Sequence, residues 1–230
     1  MKIGIVLTPD NRSKAYIQKI QKYQIKLDEI IFLNDFRKEE SISEQLINQS
    51  KSDGFDVSES VSSTLKTGKL DYKEFQFVDI NNEKLINYIK EKNLDYFIFT
   101  GGGILKKEIL SLKTKFIHFH PGIVPDFKGS TCFYYSILKE NNCGVTAFIM
   151  NEGLDTGDIL YQKIFEKPNH LFIDEVYDPH IRSETLIEVL KNKQIYKNKF
   201  KKQEPNKGDT YYVIHPVLKH IAILNCLKNL

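Results

Sequence analysis

The sequence predicts an α/β domain: a mostly parallel, Rossmann-like sheet with helices on both faces and a short C-terminal extension. Three observations predict it. Short apolar runs at Ile3–Leu7, Ile30–Leu33 and Tyr96–Phe99 are each closed by polar or glycine turn residues, as buried strands are. Stretches with helical periodicity alternate with them, which is the βαβ pattern of a sheet covered on both sides. Two loops, Gly101-Gly102-Gly103 and His118-Phe119-His120-Pro121-Gly122, fall at strand ends. Ligands of open parallel sheets sit beyond the carboxyl ends of the strands.

The elements follow in order. Ile3–Leu7 reads as the first strand, ended by Thr8-Pro9-Asp10-Asn11, and residues 13–25 as a helix. Ile30–Leu33 is the second strand and Phe75–Val78 the third. Asn82–Lys92 places Leu85, Ile86 and Ile89 on one helical face. Tyr96–Phe99 is the fourth strand, followed by a short helix at Lys106–Leu110 and a buried strand at Phe116–Phe119. Thr131–Glu140 reads as a helix stopped by Asn141-Asn142, then Val145–Met150 and Ile159–Phe165 as strands. Asp174–Leu190 is largely helical, with Pro179 breaking it or starting its second part. A lysine-rich link at 191–202 closes a domain of residues 1–202. The extension, 203–230, has an extended piece at Thr210–Val213 and a helix from about Pro216. Residues 50–73 are polar, Ser-rich and resist assignment.

Composition narrows the function classes. The 230 residues suit one domain with a small appendage, and 41% hydrophobic residues suffice for a sizeable core. A net charge of +3 is too small to imply nucleic acid. Cys132, Cys143 and Cys226 form no C-x-x-C pair and are odd in number, so reduced cysteines of a cytoplasmic protein are expected. The apolar run at the N-terminus is too short for a signal peptide or membrane span, so no membrane partner is expected. The oligomeric state is open, a homodimer being one option.

Chemistry concentrates in two stretches. His118 and His120 alternate along a strand end and therefore share one side of it. Two such histidines suit metal binding or acid–base work. Gly153-Leu154-Asp155-Thr156-Gly157-Asp158 is a turn with two carboxylates, and a carboxylate beside a histidine orients the ring and stabilises its cation. Turn residues and strand-capping histidines with no chemistry are the plain alternative.

The stretch Phe116-Ile117-His118-Phe119-His120-Pro121-Gly122-Ile123-Val124-Pro125-Asp126-Phe127-Lys128-Gly129 is followed by Cys143-Gly144-Val145-Thr146 and then Leu154-Asp155-Thr156-Gly157. In order and spacing these elements resemble the 10-formyltetrahydrofolate-dependent formyltransferase family. That family shows an Asn-x-His motif, a Pro-(two residues)-Lys/Arg-Gly loop, Gly-Val-Thr and a Leu/Val-Asp-x-Gly turn. The resemblance implies the formyltransferase fold, with His120 on the catalytic histidine, Asp155 on the catalytic aspartate and no metal. It implies direct acyl transfer: an amine attacks the formyl carbon, and His120 stabilises the oxyanion. The family's asparagine is here His118, which keeps an N–H to donate. By the same resemblance, 10-formyltetrahydrofolate lies in a cleft between Gly101, Gly102, Gly103, Ile104 and Leu105 and the turn of Gly153, Leu154 and Asp158, with Ile104 and Leu105 packing on the pterin.

Family acceptors include initiator methionyl-tRNA, glycinamide ribonucleotide and nucleotide-linked amino sugars. The tRNA enzymes carry a second, barrel-like domain, for which only residues 203–230 remain, and the near-balanced charge also argues against tRNA. The purine enzymes have a Gly-rich phosphate loop after the first strand, where this chain has Leu7-Thr8-Pro9-Asp10. The chain is thus most similar to single-domain sugar N-formyltransferases of surface-polysaccharide pathways. Tyr134, Tyr211 or Tyr212 could stack on a base or sugar. Two rivals stand beside this reading: a metal-dependent hydrolase with His118, His120 and Asp155 as ligands, and a folate-binding module without turnover.

Overall fold

The computed structural model describes residues 1–35, 41–101, 103–197, 199–204 and 207–227. The chain divides into two compact units, Met1–His118 and Phe119–Leu230. Strand order in the main sheet is β3-β2-β1-β4-β5-β7-β8. The mostly parallel α/β fold expected from the sequence is the one found.

In Met1–His118, β1 (Ile3–Leu7) is buried along its whole length and pairs in parallel with β2 (Glu29–Leu33) and β4 (Tyr96–Phe99). Buried central strands read as continuous apolar runs, which is why these three were visible in the sequence. Helix α1 (Asn11–Lys22) starts where the Asp10 carboxylate accepts the Ser13 N–H at 2.7 Å. The polar stretch that resisted assignment is helical in part. Helices α2 (Glu44–Ser52) and α3 (Val61–Thr67) are capped by Ser43 and Ser60. They are short and bury few side chains, so periodicity gave no signal. Strand β3 covers Lys73–Phe75, earlier than the expected Phe75–Val78. Its ladder with β2 ends at Leu33–Phe75, so Phe77 and Val78 lie past the pairing. Helix α4 (Glu83–Lys92) is capped by Asn82 and ends at left-handed Asn93. The short α5 (Lys107–Leu110) leads into β5 (Lys115–His120), which pairs in parallel with β4.

In Phe119–Leu230, β7 (Asn142–Ile149) and β8 (Ile159–Glu166) form an antiparallel pair. Between β5 and β7 lie a short strand β6 (Phe127–Gly129), absent from the sequence reading, and helix α6 (Cys132–Glu140). The expected helix at Asp174–Leu190 is two pieces: a π-helical turn at Ile173–Tyr177, then α7 (Asp178–Lys191), with Pro179 in its first turn. There the missing N–H costs nothing, so the proline starts the second piece. In the extension, β9 (Asp209–Tyr211) pairs with β6, and α8 spans Pro216–Leu227. Among the described residues no helix is long and apolar enough to cross a membrane.

Candidate active site

The end of β5 and the β7–β8 turn bring His120 and Asp155 together. His120 is 2% exposed. Its Nδ1 lies 3.4 Å from Asp155 Oδ2, and its Nε2 lies 2.9 Å from the Phe127 carbonyl oxygen. A carbonyl only accepts, so Nε2 carries the ring proton. Burial pushes the imidazole below its ordinary pKa; Asp155 opposes that shift and the Arg182 cation adds to it. Nδ1 faces the Asp155 carboxylate, which stabilises a proton on that nitrogen. The ring's Nε2 proton is committed to the Phe127 carbonyl.

Local sequence makes this arrangement possible. A Cβ on Gly122 would come within 2.7 Å of the Phe127 carbonyl oxygen and 2.9 Å of His120 Nε2, so only glycine leaves that hydrogen bond room. Thr146 braces the same loop: its hydroxyl donates to the Gly122 carbonyl at 2.7 Å and accepts the Val124 N–H at 3.1 Å. That explains the threonine of Gly144-Val145-Thr146 in packing terms. Arg182 Nη1 donates to the Phe119 carbonyl at 2.7 Å, and its Nε to Asp178 Oδ1 at 2.7 Å. A buried guanidinium needs such a partner, since an uncompensated buried charge is costly. The i,i+4 spacing of Asp178 and Arg182 was the sequence signal for this pair, and the sequence reading passed over it.

Asp155 sits at φ 52°, a left-handed conformation that Asp and Asn tolerate better than most residues. Its Oδ2 accepts the Gly129 N–H at 2.7 Å. Asn151 Oδ1 accepts the Gly153 N–H at 3.1 Å and the Thr156 hydroxyl at 3.0 Å, closing the turn. A Cβ on Gly157 would lie 1.6 Å from the Ile149 carbonyl oxygen, so the glycine after Asp155-Thr156 is obligatory. Leu154 is 57% exposed. The Asp158 carbonyl accepts the Ile149 N–H at 3.0 Å.

The other expected residues lie in Met1–His118. His118 is half-buried, with Nδ1 3.5 Å from the Phe99 carbonyl oxygen, at the outer limit of a hydrogen bond. Gly101 lies against Thr8 and Asp10. Gly102 lies outside the described residues. Gly103 has φ +104°. Ile104 is 88% exposed while Leu105 is 6% exposed and part of the core. Asn81, unnoticed in the sequence, holds this loop: its side chain donates to the Ile104 carbonyl and accepts the Lys106 N–H, both at 2.8 Å. Of the tyrosines singled out, Tyr134 is buried against Asp174, Tyr211 stacks on Phe127, and Tyr212 is exposed. The three cysteines are free and buried; burial pushes the Cys132 and Cys143 thiols up to about 12. Among the described residues no group of three or more His, Cys, Asp and Glu side chains could hold a metal ion.

A buried histidine beside a carboxylate, in a mostly parallel sheet, defines an α/β protein with a candidate acid–base site. The family model described as Formyl transferase matches residues 30–184, and the chain belongs to that family of folate-dependent one-carbon transferases. A methionyl-tRNA formyltransferase from Finegoldia magna is 27% identical over 148 residues, covering 62% of this chain and 48% of the relative. The chain thus spans about half the length of that relative. A sugar N-formyltransferase from Shewanella superposes with a TM-score of 0.59 at 19% identity, covering 99% of this chain and 88% of the other. An N-formyltransferase from Helicobacter canadensis, solved with folinic acid and dTDP-3-aminofucose, superposes with a TM-score of 0.61 at 17% identity, covering 99% and 80%. At these identities the structural likenesses establish the fold.

Proposed function

We propose that this protein transfers the formyl group of 10-formyltetrahydrofolate to the primary amine of a nucleotide-linked amino sugar. One observation carries the reading: Asp155 Oδ2 accepts the Gly129 N–H at 2.7 Å and lies 3.4 Å from His120 Nδ1. The neutral amine attacks the formyl carbon, giving a tetrahedral intermediate with an oxyanion and an ammonium. The ammonium proton passes to His120 Nδ1, whose new charge Asp155 stabilises. The same proton returns to the folate nitrogen as the carbon–nitrogen bond breaks, so the amide and tetrahydrofolate leave with protons balanced. His118, two residues earlier on β5, supplies an N–H to the oxyanion. Gly101, Gly103, Ile104 and Leu105 in Met1–His118 are proposed as folate contacts, and so, in Phe119–Leu230, are Gly153, Leu154 and Asp158. Exposed Ile104 and Leu154 are apolar surfaces of the kind a pterin covers.

The acceptor class rests on similarity to sugar N-formyltransferases and on the start of α1. In a phosphate-binding loop the helix N-terminus offers free N–H groups to the anion. Here Asp10 occupies that place with its own carboxylate on the Ser13 N–H at 2.7 Å, and its other oxygen accepts the Thr8 hydroxyl at 2.8 Å. A carboxylate there repels a ribonucleotide phosphate, which disfavours glycinamide ribonucleotide. The test is tetrahydrofolate release from 10-formyltetrahydrofolate with dTDP- and UDP-linked amino sugars, glycinamide ribonucleotide and charged initiator tRNA in parallel. Turnover on an amino sugar is expected; formylmethionyl-tRNA as the sole product would overturn the acceptor, and no product on any amine the activity.

A further inference from the structure

We propose that Gln203 is a positioning residue for Asp155: from the extension it locks the backbone of the catalytic turn and so aims the carboxylate at His120. The inference rests on the formyl-transfer reading for its kinetic consequence but not for its geometry. Gln203 lies beyond the family match at 30–184, and its Nε2 donates to the Asp155 carbonyl at 2.9 Å and the Gly157 carbonyl at 2.7 Å. These carbonyls flank Thr156, so one amide spans the turn like a staple. Both NH₂ protons are used, and an amide has only two.

Asp155 holds a left-handed φ of 52°, a conformation that costs free energy unless its surroundings impose it. The Gln203 bond falls on the carbonyl of that same residue, where it restrains rotation of the peptide following Asp155. The carboxylate has little tolerance for such rotation. At 2.7 Å from the Gly129 N–H and 3.4 Å from His120 Nδ1, a small swing breaks the first contact or abolishes the second. Catalytic groups displaced by about 1 Å lose on the order of 100-fold in rate.

The extension grips the other side of the carboxylate as well. Strand β9 pairs with β6 at Phe127–Asp209, Lys128–Thr210 and Gly129–Tyr211, and the Ser130 N–H donates to the Tyr211 carbonyl at 2.9 Å. Tyr211 stacks on Phe127, the residue whose carbonyl accepts the His120 Nε2–H, with ring centroids 5.5 Å apart and planes at 18°. Gln203 and residues 209–211 therefore reach both the turn that carries Asp155 and the strand that donates to it. An extension used only for packing has no reason to place a polar side chain on two carbonyls of the catalytic turn.

The Gly129 amide proton, which sits on the Asp155 carboxylate, reports the position of that group without any substrate. Gln203→Met keeps length and removes both donors; Gln203→Glu keeps shape and sets a carboxylate against two carbonyls. Amide exchange by NMR on the full chain, with folding checked by thermal unfolding, is expected to show Gly129 losing about tenfold of its protection in both variants. With the best acceptor, kcat is expected to fall about tenfold while KM for folate and acceptor stays within about twofold. Unchanged Gly129 exchange in folded Gln203→Met would overturn the proposal, and so would lost turnover with Gly129 still protected. If Gly129 responds but the parent enzyme formylates nothing, the positioning role stands and the activity reading fails.

Discussion

The His120–Asp155 network and the Gly101–Leu105 loop each follow a parallel strand, β5 and β4, yet they are built on opposite principles. In the network Nε2 answers to Phe127, Oδ2 to Gly129 and the Asp155 carbonyl to Gln203. Its glycines are dictated by contacts, as at Gly122 and Gly157. The loop holds itself through Asn81 and leaves Ile104 88% exposed. Preorganised groups suit chemistry, where misplacement is expensive; an exposed apolar loop suits binding, where a ligand can supply the missing contacts. Substitutions should therefore act on turnover in the first region and on folate affinity in the second.

The sharpest way to break that contrast is Asp155→Asn. Asparagine accepts the same backbone conformation, so the fold should persist while kcat falls on the order of 100- to 10,000-fold. Steady-state kinetics with a thermal-unfolding control measures it, and near-parent kcat would remove Asp155 from the chemistry. His118 comes next. His118→Ala should lose on the order of 100-fold in kcat, and His118→Asn should stay partly active with a flatter pH–rate profile, since an amide does not titrate. Equal activity of the alanine variant and the parent would make His118 structural.

Legibility in the sequence divides along the same line. The buried parallel strands β1, β2 and β4 are continuous apolar runs, and the two halves of the candidate site lie in motifs whose residues are forced by packing: Gly122 by Phe127, Thr146 by the Gly122 carbonyl, Gly157 by Ile149. What stayed hidden was carried by long-range backbone contacts. Strand β6 has three residues and is paired by β9, some eighty positions later. Gln203 is one glutamine in a polar stretch, and nothing local marks its two carbonyl partners. The tautomer of His120 depends on a carbonyl seven residues away, beyond any reading by residue type.

A smaller effect follows from the buried imidazole. Burial lowers the folded pKa of His120 below its ordinary value near 6.5, so below that pH the unfolded chain binds the proton more readily. The stability this contributes is full above about pH 6.5 and is lost as pH falls through the folded value. Urea unfolding at pH 7.5 and 5 should show a smaller loss for His120→Gln than for the parent; an equal loss would mean that the ring is not held neutral. The smallest effect belongs to the loop. Ile104→Ser should leave stability and kcat unchanged and raise KM for folate about 3- to 10-fold, the cost of losing part of one apolar burial. Unchanged KM would take Ile104 out of the folate site.

The proposed chemistry turns on a neutral His120 that holds its proton on Nε2 and takes a second one at Nδ1, beside Asp155. Nitrogen-15 NMR of histidine-labelled protein reads that tautomer directly. The expected result at pH 7 is a protonated Nε2 and a bare Nδ1, becoming a cation only below the ordinary histidine range, with the Nδ1 signal shifted in Asp155→Asn. A proton on Nδ1 at pH 7, whether in the other tautomer or in the cation, would contradict it, because no lone pair would then remain to take the proton of the attacking amine.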